Sequence, residues 1–387
     1  MKIAMIGQKG IPAHSGGIER HVEELSAELS RLGHDVMVFC RSWYTGPVKY
    51  HRGVRTIMVP SIATKHLDAI THTFLSILKA AREEADVFHI HGVGPALLAW
   101  LPKLIRPQAK VVVTFHCIDR HHQKWNWIAR LALHVGEIAA LKFPDVTISV
   151  SRTLQAYCRM SYSADTVYIP NGTHVPVVET NPAILKTFNL EPNTYLIMCA
   201  RLVRHKGAHT FIEAWKRLTA KRPELTANKN IAIVGGSAFT DEYTRELEQL
   251  ATTVPGVVLT GAQTGEALHA LFAGAYAAVH PSTSEGLPIA VLEAMSYGKC
   301  VLSSDIPENL ELTRDHGLSF KTDDVEDLAN QMAMLLEHPE LAEAVGRESR
   351  EYVAKYFDWE DIALLTSSLY EVMGLETKPS IKQHPVL

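Results

Sequence analysis

Cysteine is scarce in this chain and unpaired in pattern. The 387 residues hold five, Cys40, Cys117, Cys158, Cys199 and Cys300, an odd number with no Cys-x-x-Cys spacing. That argues against a disulfide framework and against paired-thiolate metal modules, and it fits a reducing compartment. Neither sign of charge is in excess: 38 Lys and Arg stand against 42 Asp and Glu, for a net charge of −4. A nucleic-acid binder held by a dominant basic field is therefore disfavoured. No run approaches the ~18 uncharged apolar residues needed to span a bilayer. The first seven residues, a short apolar run ending at Gly7, lack the length and cleavage site of a signal peptide. The expectation is a cytoplasmic protein that visits, at most, the inner face of the cytoplasmic membrane. Internal repeats and low-complexity tracts are also missing.

What is present is a regular alternation. At 47% hydrophobic and 21% charged, the chain has ample material for large cores, and its length suggests two or three domains of roughly 150 residues. Residues 3–6 read as a strand, and residues 17–32 follow as an amphipathic helix with Ile18, Val22, Leu25 and Leu29 on one stripe and Gly33 at its end. Residues 36–40, 87–91, 111–115 and 146–150 continue as buried strands. After the Asn171-Gly172 turn the pattern restarts, with strands expected at 195–200, 231–234, 257–259, 277–280 and 300–303 and a last helix at 359–373. Such βα alternation implies parallel sheets flanked by helices. The economical reading is two doubly wound α/β domains facing across a cleft: 1–170, 171–358, and a C-terminal segment 359–387 that returns to the N-terminal domain.

In open α/β sheets ligands bind beyond the carboxyl ends of the strands. That rule selects four loops, at residues 7–17, 115–122, 201–207 and 281–288. The first carries Gly16-Gly17 at a helix start, where free N–H groups favour phosphate; it matches neither the dinucleotide fingerprint nor a Walker loop. A nicotinamide dehydrogenase is thereby disfavoured. The third loop packs Arg201, Arg204, His205 and Lys206 ahead of Gly207, a cationic cluster suited to a diphosphate. The fourth contains Glu285-Gly286-Leu287-Pro288 and leads into an apolar helix that carries Glu293. A carboxylate in so apolar a helix needs hydrogen-bond donors, from the protein or from ligand hydroxyls such as those of a ribose.

The Glu285-x7-Glu293 pair, with Glu285-Gly286-Leu287-Pro288 and Val291-Leu292-Glu293-Ala294-Met295 around it, resembles the retaining family 4 glycosyltransferases of GT-B fold. Gly16-Gly17-Ile18-Glu19, Thr114-Phe115-His116, Ile169-Pro170-Asn171-Gly172 and Arg201 with Lys206-Gly207 follow in the family's order. The resemblance implies that Glu293 binds the nucleotide ribose and that Arg201 and Lys206 hold the diphosphate. Glu285, Gly286 and Leu287 would face the donor sugar, Gly16 and Gly17 would approach the phosphates, and His116 would lie near the reacting carbon. Ala262 and Gln263 would contact the base. Many relatives carry a second glycine where this chain has Pro288, which removes one backbone N–H donor.

The same resemblance implies retention of anomeric configuration and, mildly, a UDP-sugar donor. The acceptor would be a saccharide or lipid-linked saccharide in cell-surface polysaccharide assembly. The sequence contains no Asp-x-Asp motif, so no metal and no other cofactor is expected. A zinc site could be drawn from His89, His91, His116, His121 and His122, but lining of an acceptor cleft accounts for them better. Residues 119–130 mix basic and aromatic side chains, a composition open to two readings: an ordinary amphipathic helix on the sheet, or peripheral membrane contact. Two further readings compete with glycosyl transfer: a sugar-nucleotide epimerase of the same two-domain shape, and a non-catalytic nucleotide-sugar-binding subunit.

Overall fold

The computed structural model describes residues 1–62, 64, 67–118, 120, 127–237 and 240–375. The chain forms two compact units. One comprises Met1–Ala13, Ile18–Pro170 and the C-terminal helix Trp359–Leu375; the other comprises Asn171–Asp358 together with His14–Gly17.

The first unit is built on an eight-stranded sheet: β1 (Lys2–Ile6), β2 (Asp35–Arg41), β3 (Tyr50–His51), β4 (Val54–Val59), β5 (Val87–His91), β6 (Lys110–Phe115), β7 (Val146–Ser149) and β8 (Val167–Tyr168). Their order is β3-β4-β2-β1-β5-β6-β7-β8, and every pair is parallel except the β3–β4 hairpin. The second unit has six parallel strands: β9 (Tyr195–Cys199), β10 (Asn230–Val234), β11 (Val257–Gly261), β12 (Ala277–His280), β13 (Val301–Ser304) and β14 (Leu318–Phe320), in the order β11-β10-β9-β12-β13-β14. β5 and β12 are buried at every position, as expected of strands covered by helices on both faces.

Every strand expected from the sequence is present, with ends shifted by a residue or two. Four others were hidden. β3, β8 and β14 are two or three residues long, too short for a periodicity to register. β4 turns back from β3 through Arg52 (φ +49°) and Gly53 (φ +83°), a tight hairpin made with Arg-Gly rather than the more recognisable Asn-Gly.

Each unit has its own core. In the first, Val22, Leu25 and Leu29 of helix Gly17–Arg31 pack with Ile3, Met5 and Val38 of the sheet. Trp359, Ile362, Tyr370 and Met373 of the C-terminal helix join the same cluster, and Tyr370 Oη lies 2.7 Å from Nδ1 of His89. In the second, Phe211 and Trp215 of helix Ala208–Lys221 pack on the β9–β10 side of the sheet with Leu196 and Ile231. In each sheet the chain reverses its direction of winding beside the central strand, between β1 and β5 and between β9 and β12. Those switch points are where doubly wound sheets open crevices for ligands.

Candidate active site

In the second unit the loops leaving β9 and β12 meet. β9 is mainly apolar and leads through Ala200 to Arg201, and β12 is apolar up to its last residue, His280. The β9 loop closes with Gly207, which holds φ +74° and caps helix Ala208–Lys221. A side chain there would bring its Cβ within 2.1 Å of the Pro281 carbonyl oxygen, so only glycine allows the loops to touch. The backbone N–H of Thr283 donates to His205 O at 2.8 Å, fastening one loop to the other. Further along, Asn171 Nδ2 donates to Leu287 O at 2.7 Å.

The centre of the arrangement is Glu285. Its Oε1 accepts from Lys206 Nζ at 2.5 Å and from His280 Nε2 at 2.7 Å. All three side chains are nearly buried, at 9%, 15% and 6% exposure respectively. Burial alone would raise the Glu285 pKa, but Lys206 and His280 outweigh it and hold the carboxyl well below its ordinary range. Glu285 is thus an anion fixed by two donors on one oxygen.

Arg201 is half-buried at the start of the same β9 loop and has no ion-pair partner among the described residues. Arg204 behaves differently: it pairs with Glu246 and lies over the Tyr243 ring at 4.9 Å. Of the loop's fixed cations, Arg204 is a surface strut, and Arg201 and Lys206 belong to the switch point.

Gly286 and Leu287 are buried beside Glu285, and Pro288 caps helix Ile289–Ser296. That helix is buried around most of its circumference, as its composition predicts. Glu293 is not. With Ala290 and Tyr297 it occupies the one stripe left partly open, so the residue is only partly buried and the burial cost expected from sequence is smaller than supposed. The ring of Tyr297, on that stripe, stacks on Phe272 at 5.3 Å. Ala262 is exposed after β11, and Gln263 donates its side-chain amide to Thr260 O at 2.7 Å.

Gly16 (φ +104°) precedes helix Gly17–Arg31, and a Cβ on Gly17 would meet nothing within 4 Å. Glu19 and Glu23 on that helix accept from the backbone N–H groups of Lys9 and Ala13, which sets the shape of the glycine loop. In the first unit, His116 directly follows β6. Its Nε2 lies 3.1 Å from Nδ1 of His91, and the His21 ring stands edge-on at 4.7 Å. Burial, then His21 and His89, lower the His116 pKa well below 6.5, so the imidazole is neutral. His21, His91 and His116 bring one ring nitrogen each within 4.8 Å of one another. The histidine grouping drawn from sequence is therefore altered: His21 belongs to it, His89 is turned to Tyr370 and Thr114, and His121 and His122 lie outside the described residues. Of the stretch 119–130, residues 119 and 121–126 also lie outside them.

Sequence reasoning missed two residues. His280 is the single polar residue of Ala277-Ala278-Val279-His280, at the strand end where chemistry concentrates, and that position was a usable signal. His21 falls three residues after Ile18, within the buried stripe of its helix.

Residues 15–175 match the family described as Glycosyltransferase Family 4, and residues 183–375 match Glycosyl transferases group 1. The sulfoquinovosyl transferase SQD2 of Arabidopsis thaliana is 33% identical over 92% of this chain and 71% of its own. Among solved structures, the sucrose-phosphate synthase from Thermosynechococcus elongatus superposes with a TM-score of 0.80 at 24% identity, covering 96% of this chain and 98% of that one. Anabaena Alr3699/HepE in complex with UDP-glucose gives 0.78 at 20% identity, over 96% and 100%. The two Rossmann-like units have the GT-B fold, and the family matches make the chain a glycosyltransferase that uses a nucleotide-sugar donor. The chain belongs to the family 4 glycosyltransferases, the glycosyl transferases group 1.

Proposed function

We propose that this enzyme is a retaining, metal-independent hexosyltransferase. It would move a sugar from a UDP-sugar to a saccharide or lipid-linked saccharide acceptor, in the cytoplasm, during cell-surface polysaccharide assembly. The observation that carries the reading is the Lys206–Glu285–His280 cluster, with Arg201 on the same loop, at the β9/β12 switch point. The complex of HepE with UDP-glucose supports the choice of base.

In this reading 171–358 is the nucleotide-sugar domain and 1–170 the acceptor domain, closed by the segment from 359. Glu293 accepts from the ribose hydroxyls, and Ala262 and Gln263 border the base. Arg201, Lys206 and the N–H groups at the start of helix Ala208–Lys221 receive the diphosphate, with Gly16 and Gly17 approaching it from the glycine loop. The bond from the anomeric carbon to the β-phosphate oxygen breaks, and the cations and helix terminus stabilise the charge that develops there. The acceptor oxygen bonds to the same face of that carbon, and its proton passes to the departing phosphate. Glu285, an anion held by two donors, orients the sugar with Gly286 and Leu287. Neutral His116 hydrogen-bonds near the reacting carbon without adding charge.

The test is turnover of nucleotide sugars with a panel of saccharide acceptors, with the product's anomeric configuration read by NMR. Release of nucleoside diphosphate only when acceptor is present supports transfer. Isomerisation or hydrolysis of donor alone would favour an epimerase, and absence of all turnover would favour a binding subunit. A covalent glycosyl-enzyme in wild type, abolished by Glu285→Gln, would overturn the same-face mechanism.

A further inference from the structure

The first unit carries an unusual surface. Of the 23 exposed large hydrophobic side chains among the described residues, 13 fall between Ile62 and Phe143, whereas the second unit has two, Val177 and Tyr356. The densest part is helix Trp127–Lys142. Ile128, Leu131, Val135 and Ile138 recur at three- and four-residue steps, which places them on one stripe, and all are exposed. The buried face is made instead of Gly136, Glu137, Ala139 and Ala140. Gly136 lies so close to the short helix Val93–Ala96 that a Cβ would come within 2.3 Å of the Val93 carbonyl oxygen. The usual polarity of a globular helix is therefore inverted, with small residues inward and large apolar residues outward.

Charge on this helix is one-sided: it carries Arg130 and Lys142, and its one acid is Glu137. Glu137 is fully buried, paired with Arg120 at 3.3 Å and accepting from Tyr157 and Tyr162. The outward face of the helix thus carries no acid, and Arg130 and Lys142 are exposed along it. Helix Val93–Ala96 packs against both this helix and helix Asp68–Arg82. The latter borders an apolar groove of about 510 Å³ lined by Ile62, Ile70, Phe74, Leu75 and Leu98.

We propose that this face docks on an anionic lipid bilayer. The aliphatic stripe of helix Trp127–Lys142, with Arg130 and Lys142 on the same helix and no exposed acid on it, complements acyl chains beneath negative headgroups. A second copy of the chain fits poorly, because a two-fold contact would set the cations against each other. No described helix is long and apolar enough to cross a membrane, so the contact is interfacial. The inference rests on the lipid-linked acceptor reading only for its purpose, since a docked enzyme would meet its acceptor in the plane of the membrane.

Flotation of the full-length protein with vesicles of phosphatidylcholine, with or without phosphatidylglycerol, tests this. Wild type should float with the anionic vesicles and be released by salt. Leu131→Glu/Val135→Glu/Ile138→Glu should abolish flotation without changing the melting temperature, and Val177→Glu should float as wild type. Arg130→Gln and Lys142→Gln should each weaken partitioning roughly fivefold. No flotation at low salt, or undiminished flotation of the triple variant, overturns the proposal. So does a wild-type dimer in light scattering that the triple variant converts to monomer while neither binds lipid. Turnover with a soluble acceptor on the same samples reports the glycosyltransferase reading separately.

Discussion

Lys206 Nζ sits 2.5 Å from Oε1 of Glu285, so the lysine proposed to receive the donor's diphosphate is held by a carboxylate. On the proposed reading, an incoming diphosphate would compete with that carboxylate for the cation. His280 Nε2 donates to the same Glu285 oxygen at 2.7 Å.

Breaking the pair should be costly, because a buried ion left alone loses its compensation. Lys206→Met should lower unfolding stability by about 3 kcal/mol, and Lys206→Met/Glu285→Met should recover most of it. Both variants should lose donor turnover. Denaturant titration beside activity checks this; equal stability of single and double variants would show that the pair carries no strong coupling.

His280 should act through its Nε2–H. Glutamine can place an amide nitrogen near that position and alanine cannot. His280→Ala should lower kcat by about tenfold or more, and His280→Gln should restore most of it, the span expected for one hydrogen bond to a charged group. Steady-state kinetics decide it, and identical losses in the two variants would reduce His280 to a packing role.

Glu293 is only partly buried, so its proposed ribose contact is expected to be separable from stability. Glu293→Gln should weaken UDP binding by roughly tenfold, for loss of a charged acceptor, while leaving the melting temperature within a degree or so. The variant should also discriminate less between uridine and 2′-deoxyuridine. Calorimetry with both nucleosides gives the answer.

Acid should attack the first unit. Burial, then Arg41, lowers His72 to about 4, and burial with His21 lowers His89 to about 3. Both are neutral in the fold but would protonate near 6.5 when unfolded, so the unfolded chain binds more protons between those values. Stability is fully present above pH 6.5 and is lost as pH falls, by on the order of 3 kcal/mol from His72 once pH reaches about 4. Hydrogen exchange near pH 5 should show first-unit peptides opening ahead of second-unit ones, and His72→Leu should flatten the acid loss.

Chelation should leave turnover intact. If Arg201, Lys206 and a helix terminus stabilise the leaving diphosphate as proposed, EDTA should change kcat less than twofold, whereas a metal-dependent step would lose orders of magnitude. Restoration of activity by a divalent ion would contradict the metal-independent proposal.

Much of the fold could be read directly, because parallel strands buried on both faces leave apolar runs that a sequence displays. The β5 stretch Val87-Phe88-His89-Ile90-His91 and the glycine-terminated helix before β2 are such cases. β4 escaped because Arg55 and Thr56 interrupt its apolar run, and its hairpin turn uses Arg52. The site was legible at the level of loops and less so at the level of partners. Position named Lys206 and Glu285 separately, but their pairing depends on two loops 79 residues apart being brought together at the switch point. Glu293 shows the opposite limit: an apolar neighbourhood in sequence implied burial, and the helix's rotation left that one stripe open.

A nucleotide-sugar site at the β9/β12 switch point is tested most directly by a thermal-shift screen across nucleotide sugars, run on wild type, Arg201→Ala and Glu293→Gln. One donor, expected to be a UDP-sugar, should stabilise wild type by roughly 2.7 kcal/mol at a hundred times its dissociation constant. The same donor should stabilise both variants much less. No shift with any nucleotide sugar, or an equal shift in all three proteins, would contradict a donor site at this switch point.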